Sequence, residues 1–180
     1  MPGALYQYLS DDHQRLDALL TRAAAIPGKI DMEPYSEFRK GILRHISMEE
    51  KIVLPAISRW QGGRKAALAQ RLRLDHGAIV SLLVPPPTHS IVLTLRSIFE
   101  VHNPREEDAG GLYEILETLA GPEKEKMLSD LKAAPAVPVL PHNEKPDAIE
   151  TTRLAVERAG YKMKKSGDEG IQSSSSSSLS

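Results

Sequence analysis

His45-Ile46-Ser47-Met48-Glu49-Glu50 and His102-Asn103-Pro104-Arg105-Glu106-Glu107 share one spacing: a histidine, three residues, then two consecutive acids. Four residues advance an α-helix by about 400°, so the imidazole and the first carboxylate of each motif fall one turn apart on one face. With acidic residues at 24 of 180 positions, chance supplies roughly 0.8 matches to a histidine with an acid four residues on, so a single match carries no information. Requiring two adjacent acids twice lowers the random expectation to roughly 0.5% of shuffles.

The flanking residues say which way the motifs face. His45 and Glu49 fall between Ile42 and Ile52 at steps of three or four, and His102 and Glu106 extend the stripe of Ile91, Leu95 and Ile98. His13 lies between Leu9 and Leu16, and His76 between Leu72 and Ile79. Each of four helical segments therefore points one histidine toward its apolar face. A buried carboxylate without a partner costs several kcal/mol or neutralises, and a bound cation removes that difficulty.

Those segments are legible outward from the motifs. The apolar spacing predicts helices from about Ala4 to Ala25, Pro34 to Trp60, Arg64 to Val84, and Ser90 through Leu112, Ile115 and Leu119 to Gly121-Pro122. No run of alternating β-branched residues competes with them. Four helices joined by short loops predict an all-α, antiparallel up-down four-helix bundle over residues 1–131. With turns near residues 30, 62 and 88, the six inward polar side chains sit 12 to 19 residues from the neighbouring turns. At about 1.5 Å per residue, antiparallel folding gathers them within a turn or two of one level. Residues 132–180 read differently: a Pro-rich linker with Pro135, Pro138, Pro141 and Pro146, a short helix from Ala148 to Ala159, and a disordered Ser-rich tail. They are expected to form a flexible C-terminal extension, a candidate route to a protein partner.

Composition narrows the chemistry. With no cysteine, disulfides, zinc–thiolate sites, iron–sulfur clusters and thiol nucleophiles are excluded, so a metal must be held by His, carboxylate or water. A formal charge of -1 provides no broad basic field for nucleic acid or anionic lipid. The apolar run Ala78–Val84 is too short to span a bilayer, and the N-terminus lacks the features of a secretion signal, so a cytoplasmic protein is expected.

In that order, His13, HISMEE, Asp75-His76 and HNPREE resemble the hemerythrin family in its HHE cation-binding branch, over residues 5 to about 119. The resemblance implies a non-haem di-iron centre of two iron ions. His13 and His45 would serve one iron and His76 and His102 the other, with Glu49 and Glu106 bridging both. Imidazole with carboxylate suits iron better than calcium or magnesium, and the Glu-x-x-His spacing of ferritin-like sites is absent here. Oxygen-carrying hemerythrins place a fifth histidine four residues after the third-helix ligand, where this chain has Val80. Both irons are then short of six ligands, with water or a neighbouring carboxylate such as Glu50 as candidates to fill one position. Binding or sensing of a small diatomic ligand (oxygen or nitric oxide) or of peroxide becomes the leading expectation. An oxidase or peroxidase-like enzyme and a metal-stabilised interaction module are the alternatives.

Blander readings compete at single residues. Asn103-Pro104-Arg105-Glu106 is also a good helix start, and a helix beginning there would leave His102 outside it. Glu49 alone could pair at the surface with Lys51 or Lys40. Asp17 imitates the motif without the second acid, His89 and His142 read as bystanders, Trp60 as a cap on the core, and Lys162 to Lys165 as a solvated helix end.

Overall fold

A computed structural model describes residues 2–63 and 66–167. The described residues are all-helical, with no strand. The helices are α1 (Ala4–Ala23), α2 (Met32–Met48), α3 (Leu54–Trp60), α4 (Ala67–Leu82), α5 (His89–Glu107), α6 (Leu112–Ala120), α7 (Lys124–Ala133) and α8 (Pro146–Arg158). A π-helical turn at Glu49–Val53 joins α2 to α3, and a 3-10 turn at Gly121–Glu123 joins α6 to α7.

Local side-chain caps set the starts of α2 and α5. The Asp31 carboxylate accepts from the Glu33 N–H at the head of α2, and Thr88 Oγ1 accepts from the Ile91 N–H at the head of α5, each satisfying a donor the helix itself leaves open. The start of α1 is capped from a distance, because Glu117 Oε2 on α6 accepts from the N–H groups of Leu5 and Tyr6 at 3.0 and 3.2 Å. A carboxylate at a helix N-terminus also meets the positive end of the dipole. Gly3 leaves room for that carboxylate: a Cβ would fall 2.0 Å from the Glu117 carboxyl carbon and displace the side chain.

The apolar stripes bury as two clusters. One gathers Leu16, Leu20, Phe38, Ile42, Ile79, Leu82, Ile91, Leu95 and Ile98, and the other Leu5, Leu9, Met48, Val53, Leu72, Leu112, Tyr113 and Leu116. The chain passes from one to the other at His13, His45, His76 and His102, so the polar residues form a layer between two oily halves. Fully burying one such aliphatic side chain stabilises by about 1.5–3 kcal/mol. The polar layer lacks that contribution and must be stabilised by its own pairing.

The fourth segment matches its sequence expectation of one helix through His102 and Glu106, and departs from it beyond Glu107. Pro104 lies inside α5 rather than at a helix start, so His102 is helical and the reading of Asn103 as a cap is overturned. The helix does not continue to Leu119. Asp108 leaves it with ψ 164°, Gly110 takes φ 79°, and α6 begins after Gly111. The left-handed conformation at Gly110 suits glycine. At Gly111 a Cβ would meet the carbonyl oxygens of Glu106 and Asp108 at 2.8 Å.

Residues 146–165 depart from the flexible extension their composition suggests. Helix α8 lies on α4, with Val156 and Ala159 buried in the first cluster and Thr152 Oγ1 donating to the Ser81 carbonyl at 2.9 Å. The Asn143 N–H donates to the Val84 carbonyl, and the Lys164 N–H to Thr94 Oγ1, both at 2.9 Å. The Ser-rich stretch lies outside the described residues. No helix among the described residues is long and apolar enough to cross a membrane.

Candidate metal centre

All six expected ligands reach the polar layer. His13 comes from α1, His45 from α2, Glu49 from the π turn, His76 from α4, and His102 and Glu106 from α5. Their exposure runs from 0% for both glutamates to 7% for His13, which rules out the surface pairing of Glu49 with a lysine. They compose two groups that could hold a metal ion: His13, His45, Glu49 and Glu106, and Glu49, His76, His102 and Glu106. Within each group the donor atoms lie within 4.8 Å of one another.

Both glutamates belong to both groups, and each turns one oxygen toward each. Glu49 Oε1 is 3.3 Å from His45 Nε2, and its Oε2 is 3.1 Å from His76 Nε2. Glu106 Oε2 is 3.4 Å from His13 Nε2, while its Oε1 is 3.3 Å from His102 Nε2 and 3.8 Å from His76 Nε2. Two donors at right angles on one ion, with bonds of about 2.1 Å, stand about 3.0 Å apart. The spacing therefore fits ions between the donors. Glu49 Oε2, His76 Nε2 and Glu106 Oε1 are buried and make no hydrogen bond, although all three face the second group. Polar atoms left so in a native interior call for an explanation such as an ion.

Every Nε2 of the four histidines points inward because its Nδ1 is held by a carboxylate outside. Asp12 holds His45 at 2.9 Å, Glu50 holds His76 at 2.6 Å, Asp75 holds His102 at 3.3 Å, and Glu107 holds His13. Each holding acid is the chain neighbour of a ligand: Asp12 of His13, Glu50 of Glu49, Asp75 of His76, Glu107 of Glu106. The pattern is cyclic, since α1 holds the imidazole of α2, the π turn that of α4, α4 that of α5, and α5 that of α1. Such outer carboxylates fix the ring orientation and tautomer of ligating histidines. Glu50, a candidate ligand in the sequence, is thereby an orienting group, with its other oxygen 3.1 Å from Arg73 Nε.

Glu49 and Glu50 lie in the π turn, where the Leu54 N–H bonds back five residues to the Glu49 carbonyl. Pro55 follows and brings no N–H, so the ordinary ladder is already interrupted there. Single π turns inside α-helices concentrate at functional sites. A second unforeseen contributor is Tyr113, at the start of α6. Its hydroxyl donates to Glu49 Oε1 at 2.7 Å and stands 3.1 Å from His13 Nε2 and 3.2 Å from both His45 Nε2 and Glu106 Oε2.

Without an ion, the cluster is a mesh of mutually stabilised charges. Burial disfavours the imidazolium of His45, but the Glu49 charge and the Asp12 hydrogen bond outweigh it and raise the pKa to about 10. For His76, burial is overcome by the Glu106 and Glu49 carboxylates facing Nε2 and by the Glu50 hydrogen bond at Nδ1, raising it to about 12. His102 rises to about 9 against burial, through the Glu106 charge and Asp75. Burial works against the Glu49 carboxylate too, yet His45 and His76 hold its pKa well below the usual range. Asp75 is pulled down to about 2, against burial, by hydrogen bonds from His102, Tyr161 and Arg71.

The remaining sequence candidates lie elsewhere. Asp17 is exposed and pairs with Arg96 at 3.1 Å. His89 bonds the Lys29 carbonyl, and His142 stacks near Tyr35. Trp60 Nε1 donates to Glu123, and Lys162, Lys164 and Lys165 are exposed. Compared with family models, curated proteins and solved structures, the chain matches none.

Proposed function

We propose that this chain is a hemerythrin-like protein, an antiparallel up-down four-helix bundle whose polar layer holds two non-haem iron ions and binds or senses oxygen, nitric oxide or peroxide. The supporting observation is the pair of overlapping groups, each of two imidazoles and two carboxylates, with both carboxylates shared. Such sharing brings two cations close together, and the imidazole–carboxylate donor set suits iron. His13, His45, Glu49 and Glu106 hold one ion, and Glu49, His76, His102 and Glu106 the other.

When bound, the irons supply an exchangeable position for a small ligand and a change between ferrous and ferric charge. The chain supplies the rest. The carboxylate ring aims the four imidazoles, the two apolar clusters exclude bulk water from above and below the layer, and the near-complete burial of the ligands admits only small molecules. Val80 is partly buried among aliphatic residues of the first cluster, where an oxygen carrier of the family has its fifth histidine. A centre with fewer fixed donors favours sensing over simple carriage.

The test is metal analysis of anaerobically purified protein with spectra under nitrogen and then in air. Two irons per chain and an oxygen-dependent band are expected. A single zinc with no gas response would instead identify a metal-stabilised interaction module, and steady turnover of peroxide an enzyme.

A further inference from the structure

Resting on the two-ion reading, we propose that Tyr113 is a fifth protein ligand to the ion held by His13 and His45, bound through its phenolic oxygen, which makes the two ions unequal. The hydroxyl does more than touch one carboxylate. It is 2.7, 3.1, 3.2 and 3.2 Å from Glu49 Oε1, His13 Nε2, His45 Nε2 and Glu106 Oε2, all four donors of that group. A group that merely hydrogen-bonds a carboxylate from outside approaches one or two donors and stands far from the others. One atom at about 3.0 Å from four donors has the spacing of a ligand at right angles to each of them on a shared ion with bonds of about 2.1 Å. Among the described residues nothing has this relation to the donors of the second group, so that ion has four protein donors and takes up the exogenous ligand.

The ring is fixed for this task. Tyr113 is fully buried, its ring meets Tyr6 edge-on at 5.9 Å, and the break at residues 108–111 starts α6 beside the cluster. Of the other tyrosines, Tyr6 donates to the Glu107 carbonyl and Tyr161 to Asp75. Neither hydroxyl meets an inward donor of the centre.

A phenolate on ferric iron gives a visible charge-transfer band whose resonance Raman spectrum contains tyrosine ring modes. The protein is to be loaded anaerobically with two equivalents of ferrous iron, oxidised with ferricyanide, and measured with and without ring-deuterated tyrosine. Deuterium-sensitive ring modes in the wild type, lost in Tyr113→Phe while two irons remain bound, are expected. Two bound irons without such modes, or modes that persist in Tyr113→Phe, overturn the ligand assignment and leave the di-iron reading standing. Failure to take up iron overturns both. If the variant does not fold, the labelled wild type still tests the assignment, because two bound irons without deuterium-sensitive ring modes overturn it.

Discussion

Removing Glu50 separates orientation from ligation. Its Oε1 is 2.6 Å from His76 Nδ1, and His76 belongs only to the second group of donors. In Glu50→Ala the imidazole keeps its place on α4 but loses the bond that fixes its rotation. Loss of such an outer partner costs about 10–100-fold in metal affinity, equivalent to about 1.4–2.8 kcal/mol. Glu50 is 28% exposed, so water can replace part of the lost bond, and the lower end of that range is expected. Glu50→Gln keeps a carbonyl oxygen able to accept from Nδ1–H and should recover most of the loss. Anaerobic calorimetric titration of metal-free protein with ferrous iron would resolve two uptake steps, of which only one should weaken. Equal weakening of both steps, or complete loss of one ion in the glutamine variant, would refute the orienting role; the latter would make Glu50 a ligand.

The shared carboxylates make stoichiometry diagnostic: Glu49→Ala should lose both ions, whereas His102→Ala should lose one, as read by metal analysis. In the metal-free protein, His45, His76 and His102 have pKa values raised to about 10, 12 and 9. Their contribution to stability is therefore complete below the unfolded value of about 6.5 and is lost as pH rises through the folded values, starting with His102. Glu49, with its pKa lowered, contributes above about 4.5 and loses that contribution as pH falls through its folded value. Metal-free Tm should thus fall between pH 7 and 10 in scanning calorimetry, while iron affinity climbs because fewer protons must be displaced. Gly111→Ala forces a Cβ onto three backbone carbonyls within 2.9 Å and should cost about 1–3 kcal/mol in denaturant unfolding; an unchanged midpoint would show that the break relaxes freely.

The candidate ligands are legible because their spacing coincides with the apolar stripe: His45 and Glu49 replace aliphatic residues at positions that helical periodicity turns inward. What escaped notice depends on breaks in that periodicity. Tyr113 lies seven residues after Glu106, about 10.5 Å further along an unbroken helix, and reads as one more core residue beside Leu112. Only the turn at Asp108–Gly111 starts a new helix there, and its signal was the Gly110-Gly111 pair. The orienting ring leaves a clearer trace, since an acid adjoins His13, Glu49, His76 and Glu106, at Asp12, Glu50, Asp75 and Glu107. Local patterning cannot say which acid crosses to which helix. The docking of α8 was masked because its stripe contributes only Ala148, Thr152 and Val156 to the buried surface, too few to announce a packed face.

The cyclic arrangement of acids also works as an alignment gauge. Because each outer carboxylate grips an imidazole belonging to a neighbour, one helix sliding by a single residue, about 1.5 Å, would strain two grips at once. The scaffold thus keeps its register without an ion, and the cage is already shaped to receive one.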